Sequence, residues 1–158
     1  MNKVLLYDKT STSSATLTIM KCKGYCCKAL TEDPVFFWNS ISELKINSIL
    51  VLFSHGDENG PSAVEGTEGG TIDVERFSNT LKERNVKLYL ISCNTGSGNC
   101  GSALQKAKID FVAPTGKAEL QTIGSETINV FSRNPKKGSH AWIGSLSPKR
   151  ATHALSLP

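Results

Sequence analysis

The chain has little with which to enter a membrane or grip a nucleic acid. No apolar run in its 158 residues approaches the ~18 needed to cross a bilayer, so no membrane span is expected. The net charge is only +4, and its lysines and arginines are scattered. The densest pair, Lys136-Lys137, sits between Pro135 and Gly138, the composition of a turn and not of a basic stripe, so no nucleic-acid partner is expected. There are no internal repeats. Histidine is scarce at 3, and the 5 cysteines, being odd in number, exclude full internal pairing. The opening Met1 to Asp8 carries a hydrophobic run too short for a signal peptide, and reads as a first strand. That favours synthesis under reducing conditions and a cytoplasmic protein at synthesis; an effector delivered into a target cell by a dedicated machine would look the same.

What is present suits a globular α/β protein. The length is a prior for one domain with a real core, and 39% hydrophobic with 20% charged residues is ordinary for that class. Two apolar runs dominate. Ser48 to Ser54 is followed by His55-Gly56, and Val86 to Ser92 by Cys93. Between them Val74, Phe77 and Leu81 recur at helical spacing behind Asp73 or Thr71 as caps, with Asn85 as the stop. Strand, helix, strand is a βαβ unit, which makes the two strands parallel.

The flanking chain adds elements on both sides. Val4 to Tyr7 is a short strand, and Ala15 to Met20 alternates Thr with apolar residues, the period of a second strand. The aromatic stretch Pro34 to Ile41, with Phe36-Phe37-Trp38, reads as a short helix continuing through Leu44, packed in the core or offered as a patch. Asp57 to Gly70 has no periodic pattern, and a loop of that length is more often functional than idle. Ser102 to Lys108 reads as a helix, and Ile109 to Ala113 as a third parallel strand. Gln121 to Ile123, Thr127 to Phe131 and His140 to Leu146 form short pieces of antiparallel edge. The domain is expected over 1–146, with a polar tail over 147–158.

The chemistry lies at the strand ends. Ligands of open α/β sheets bind beyond the carboxyl ends of the strands, where His55 and Cys93 both fall. A thiol with an ordinary pKa of ~8.5 becomes a better nucleophile beside an imidazole or at a helix start. His55 would then act as general acid/base, Cys93 as nucleophile, and the N–H groups of Gly56 and Cys93 as oxyanion donors. These are the groups that acyl transfer requires. Cys100 is a weaker alternative as a resolving thiol, since the spacing from Cys93 is not Cys-x-x-Cys. Cys22, Cys26 and Cys27 lack a matching pair or a nearby His for zinc; no metal and no cofactor are implied. His140 and His153 follow no central strand.

Phe53-Ser54-His55-Gly56 and Leu90-Ile91-Ser92-Cys93-Asn94-Thr95-Gly96, 38 residues apart at His and Cys, resemble the two blocks of the caspase-like cysteine peptidases (clan CD), among them metacaspases and bacterial toxin domains. Phe111 to Gly116 resembles the strand that follows the nucleophile in bacterial members, and the likeness spans about Ile49 to Gly116. The resemblance implies a small three-layer caspase-like α/β sandwich with a mainly parallel central sheet and an antiparallel C-terminal excursion. It also implies a thiol protease of the hydrolase class with a His55–Cys93 dyad, acting on a protein or peptide substrate, as an effector or toxin. The substrate-pocket arginines of caspases have no clear equivalent here; Asp57, Glu58, Glu65 and Glu68 would instead suit a basic side chain. The alternatives are a catalytically silent adaptor of the same fold, binding through the Phe36-Phe37-Trp38 patch, and a deamidase or acyltransferase using the same dyad.

Overall fold

Ile49–Phe53 (β3) contains no polar residue, and all five of its side chains are buried, the environment of a strand covered on both faces. The computed structural model describes residues 2–66, 71–123, 126–135, 140–148 and 153–158. In it β3 lies parallel to Lys3–Tyr7 (β1) on one side and to Lys87–Ile91 (β6) on the other. Tyr25–Ala29 (β2) continues the sheet beyond β1, and Phe111–Pro114 (β7) beyond β6, both parallel. The two-residue Trp142–Ile143 (β10) closes the far edge antiparallel to β7. The order is therefore β10-β7-β6-β3-β1-β2.

Strand alternation splits the core into two faces. Leu6, Leu50, Leu52, Leu88, Leu90 and Phe111 join one cluster with side chains of Pro34–Ser42 (α2), Val74–Glu83 (α3) and Asn99–Ala107 (α4). Leu5, Val51, Phe53, Ile91 and Val112 join the other, with Ser14–Cys22 (α1) and a small antiparallel sheet. That sheet comprises Lys117–Ile123 (β8), Thr127–Arg133 (β9) and Ala154–Ser156 (β11), in the order β11-β9-β8. The result is an α/β sandwich of three layers, with a mainly parallel central sheet and an antiparallel C-terminal excursion.

Three expectations are corrected. Ala15 to Met20 is helical and belongs to α1, capped by Ser13, whose hydroxyl accepts from Thr16 N–H. Its buried residues Thr16, Ile19 and Met20 are spaced at three and four, so a six-residue alternation also satisfied the helical period. The stretch after His55 is not without regular structure: Gly56–Asp57 (β4) and Gly60–Pro61 (β5) pair as a tight hairpin, and Ser62 bridges to Thr71. Residues 147–158, expected as a polar tail, contain β11, with Leu155 and Leu157 buried against the second face. The expected helix at α3 holds, with Asp73 accepting from Arg76 N–H and Asn85 at φ +50°.

The chain enters the sheet at β1, runs outward to β2, then returns through α2 to β3 and runs outward the other way through β6 and β7. The helix after β1 covers one face, while those after β3 and β6 cover the other. β1 and β3 thus flank the topological switch point, where loops leaving adjacent strands diverge and open a crevice at the carboxyl edge.

Candidate functional site

Three side chains stand at the carboxyl ends of three adjacent strands: Asp8 after β1, His55 after β3 and Cys93 after β6. The register explains the grouping. Phe53 is opposite both Tyr7 and Ile91, so Asp8 is one residue beyond its strand and His55 and Cys93 each two beyond theirs. The structure therefore brings His55 and Cys93 to equivalent places on one edge. Parallel neighbours lie ≈ 4.8 Å apart in a sheet, and the two exits stay together: Ser54 Oγ and Ser92 Oγ are 3.0 Å apart and buried.

His55 faces a residue that neither strand-end motif contains. Its Nε2 lies 3.5 Å from Asp8 Oδ2; the imidazole is 38% exposed and the carboxylate side chain 0%. Asp8 N–H donates to Phe53 carbonyl O at 2.7 Å, which carries the β1–β3 ladder to the edge. Its Oδ1 accepts from Thr10 N–H at 2.8 Å and from Thr10 Oγ1 at 2.6 Å, and its Oδ2 from Gly66 N–H at 2.8 Å. Burial alone would push this carboxyl up. The Thr10 side chain and backbone, the Gly66 N–H and the His55 charge outweigh it and hold the carboxyl below the usual range. One signal in the sequence pointed to Asp8: it directly follows an apolar strand, as His55 and Cys93 nearly do.

Cys93 is half-buried, and its Sγ lies 3.9 Å from the Ala118 carbonyl at the start of β8. The next residue, Asn94, adopts φ +60° and turns the chain, its N–H donating to Gly116 O. Gly96 then packs so closely on the Ala113 and Pro114 carbonyls that a Cβ there would meet both at 2.9 Å. Gly56, expected to let a substrate carbonyl approach, serves a different close approach. A Cβ on it would stand 2.8 Å from Ser92 Cβ and 2.9 Å from Thr95 Cγ2, so the missing side chain lets the β3 exit lie against the β6 exit.

The other residues singled out in the sequence are dispersed. Asp57, at the end of β4, and Glu58, on the turn to β5, are exposed, with Asp57 Oδ1 accepting from Asn59 N–H and Glu58 O from Cys100 N–H. Glu65 pairs with Lys9 at 3.3 Å, and Glu68 lies outside the described residues. Cys100 is buried within α4, and burial first, then the Asp57 charge, pushes its thiol up to about 12. Burial keeps this thiol from solvent and disfavours its thiolate, which speaks against a resolving role. His153 Nδ1 is 3.0 Å from Ser132 O on the small sheet, and the His140 carbonyl accepts from Thr115 Oγ1. Phe37 is fully buried, and Trp38 lies edge-on to it beneath the Arg76 guanidinium. Among the described residues no group of three or more His, Cys, Asp or Glu is placed to hold a metal ion, and no helix is long and apolar enough to cross a membrane.

The class this fold and edge define is an α/β protein with a carboxylate and an imidazole beside its switch crevice and a thiol at the end of the next strand. No protein-family model matches the chain, and no curated protein does. Solved structures similar to it include an aromatic-amino-acid aminotransferase from Burkholderia pseudomallei, at 13% identity and TM-score 0.44, covering 70% of this chain and 30% of that one. The broad specificity aminotransferase from Leishmania mexicana matches at 13% and 0.43, over 70% and 30%. The cytoplasmic aspartate aminotransferase from Giardia lamblia matches at 14% and 0.43, over 70% and 29%. This chain spans about a third of the length of these enzymes, and at this identity and TM-score the likeness assigns no activity to it.

These neighbours correct the resemblance drawn from the two motifs. They are transferases and not caspase-like peptidases, and no family model supports clan CD. The cysteine-peptidase and hydrolase assignment, the silent-adaptor, deamidase and acyltransferase alternatives, and the effector or toxin role are therefore withdrawn. Short strand-end motifs share a local geometry, and that geometry does not fix the chemistry.

Proposed function

We propose that the carboxyl edge between β1 and β6 is a ligand-binding and proton-transfer centre, with His55 as the group that moves the proton and Cys93 as the thiol beside it. The observation that supports this reading most is the pairing of His55 with the buried Asp8 carboxylate at 3.5 Å in the switch crevice, with Cys93 at the matching position of the next strand. An imidazole held by a carboxylate keeps a fixed orientation, and one next to a thiol can accept the thiol proton when a ligand engages the sulfur. Ligands of open α/β sheets bind at such a switch crevice, beyond the carboxyl ends of the strands. A recess of about 280 Å³ at the opposite, amino edge is lined by Lys3, Cys26 and Glu43 but by no imidazole. Peptide hydrolysis is not assigned to this pair.

Competitive alkylation with iodoacetamide, read by peptide mass mapping, tests the proposal. Cys22 and Cys26 are exposed and act as internal references. Cys93 is expected to react several-fold faster than both at neutral pH, and His55→Ala to remove that advantage. Equal rates for the three thiols, unchanged by His55→Ala, would sink the assignment.

A further inference from the structure

We infer that Asp8 is the positioning residue of this centre: it holds His55 as the Nε2–H tautomer and pins the loop after β5 to the same carboxylate, leaving Nδ1 as the basic nitrogen. The inference rests on the proposed role of His55 but adds a residue and a proton location to it. The donors on Asp8 are accounted for atom by atom. Oδ1 is taken up by both Thr10 groups, and Oδ2 by Gly66 N–H. An ionised carboxylate only accepts, so the ring nitrogen that faces Oδ2 is favourable there only when it carries a hydrogen. That nitrogen is Nε2. The hydrogen sits between His55 and Asp8, and the proton received from a thiol or ligand must arrive at Nδ1.

The same carboxylate ties together segments far apart in sequence. Gly66, 58 residues from Asp8, follows the β4–β5 hairpin that leaves His55 directly. Ser62 N–H donates to the His55 carbonyl, Glu65 N–H to Thr31 O, and the Glu65 carboxylate pairs with Lys9. The β1 exit, the β3 exit and the loop that returns to α3 thus converge on Asp8. Its full burial shields these contacts from water, where a surface pair would contribute little. Among the described residues His55 is the charged group that acts on the Asp8 carboxyl, and the Lys9–Glu65 pair joins the sequence neighbours of Asp8 and Gly66.

Two-bond ¹H–¹⁵N correlation spectra of the full chain, recorded above the pH range in which imidazoles titrate, read the tautomer directly. The wild type is expected to show His55 protonated at Nε2 with Nδ1 bare. Asp8→Asn is expected to lose that preference and to lower the Cys93 alkylation rate several-fold, with Cys22 and Cys26 unaffected. A wild-type His55 protonated at Nδ1 overturns the inference without any variant, so a failure of Asp8→Asn to fold does not protect it. A folded Asp8→Asn with unchanged tautomer and unchanged Cys93 rate also overturns it. Should His55→Ala leave the Cys93 rate unaltered while the wild-type tautomer is Nε2–H, the proton-transfer role falls and the positioning of His55 by Asp8 stands.

Discussion

Ser54 Oγ and Ser92 Oγ meet at 3.0 Å inside the protein and join the strand exits that carry His55 and Cys93. Ser54 Oγ also reaches the His55 carbonyl at 3.3 Å. Ser92→Ala leaves that hydroxyl with its second partner, whereas Ser54→Ala leaves Ser92 Oγ buried without its Ser54 partner. Each loss is expected to cost about 1 kcal/mol, with Ser54→Ala the more costly. Urea denaturation of both variants and of the double variant would show it as non-additive coupling between the two sites.

Gly56 sets how closely those exits pack. In Gly56→Ala the new methyl meets Ser92 Cβ at 2.8 Å and Thr95 Cγ2 at 2.9 Å, and neither is the far end of a flexible chain. The variant is expected to lose about 1–3 kcal/mol from overpacking and to slow Cys93 alkylation by displacing the β6 exit. Parallel measurement of urea midpoint and alkylation rate checks both effects.

The acid side of the stability profile should carry the signature of Asp8. Its folded carboxyl is held below the usual range, so its ionised form favours the native state. That contribution is fully present above the ordinary carboxylate pKa of ~3.9 and is lost as pH falls through the lower folded value. Wild type is therefore expected to exceed Asp8→Asn in stability at neutral pH, the gap narrowing on strong acidification. A gap that is constant across the series would refute the linkage.

Arg84 closes the end of α2 from the next helix. Its Nη1 donates to the carbonyls of Ile41, Ser42 and Leu44, at the helix end where the last carbonyls lack a following turn, although Ile41 O also accepts from Leu44 N–H. Arg84→Met keeps much of the stem and removes the donors; a loss of about 1–2 kcal/mol is expected, as for a charge-assisted bond in partial contact with water. Thermal unfolding followed by circular dichroism measures it.

Cys100 should report unfolding. With its thiol pushed up to about 12 and its side chain buried, it is expected to resist iodoacetamide in the native protein at neutral pH and to react once urea opens the α3–α4 face. Mass mapping of alkylated peptides across a urea series would show the onset of Cys100 labelling coinciding with loss of helix signal. Labelling well before that onset would mean the face opens locally.

Much of the central architecture could be read before the fold was known. The unbroken apolar run at β3 demanded two covered faces, the spacing of Val74, Phe77 and Leu81 demanded a helix, and the two together required β6 to be parallel to β3. That placed His55 and Cys93 on one edge. The short segments were harder: α1 satisfied two periods over six residues, and β2, carrying Cys26 and Cys27, has exposed and half-buried positions typical of a sheet edge and no clear alternation. The two strand-end motifs led to a peptidase family that neither the family models nor the similar structures support, because a motif of a few residues records a local turn and not the ligand above it.

By itself the sequence determined the βαβ core and the edge on which His and Cys stand, since both follow from hydrophobic period and chain direction, which are local properties. Only the tertiary structure decided what surrounds them. Asp8 acquires its role because the β1 exit lies beside the β3 exit and because Gly66 returns across 58 positions to share its carboxylate. Gly56 acquires its role because Ser92 and Thr95 press against it. Contacts between residues so distant along the chain are set by the packing of whole elements, and no local pattern encodes them.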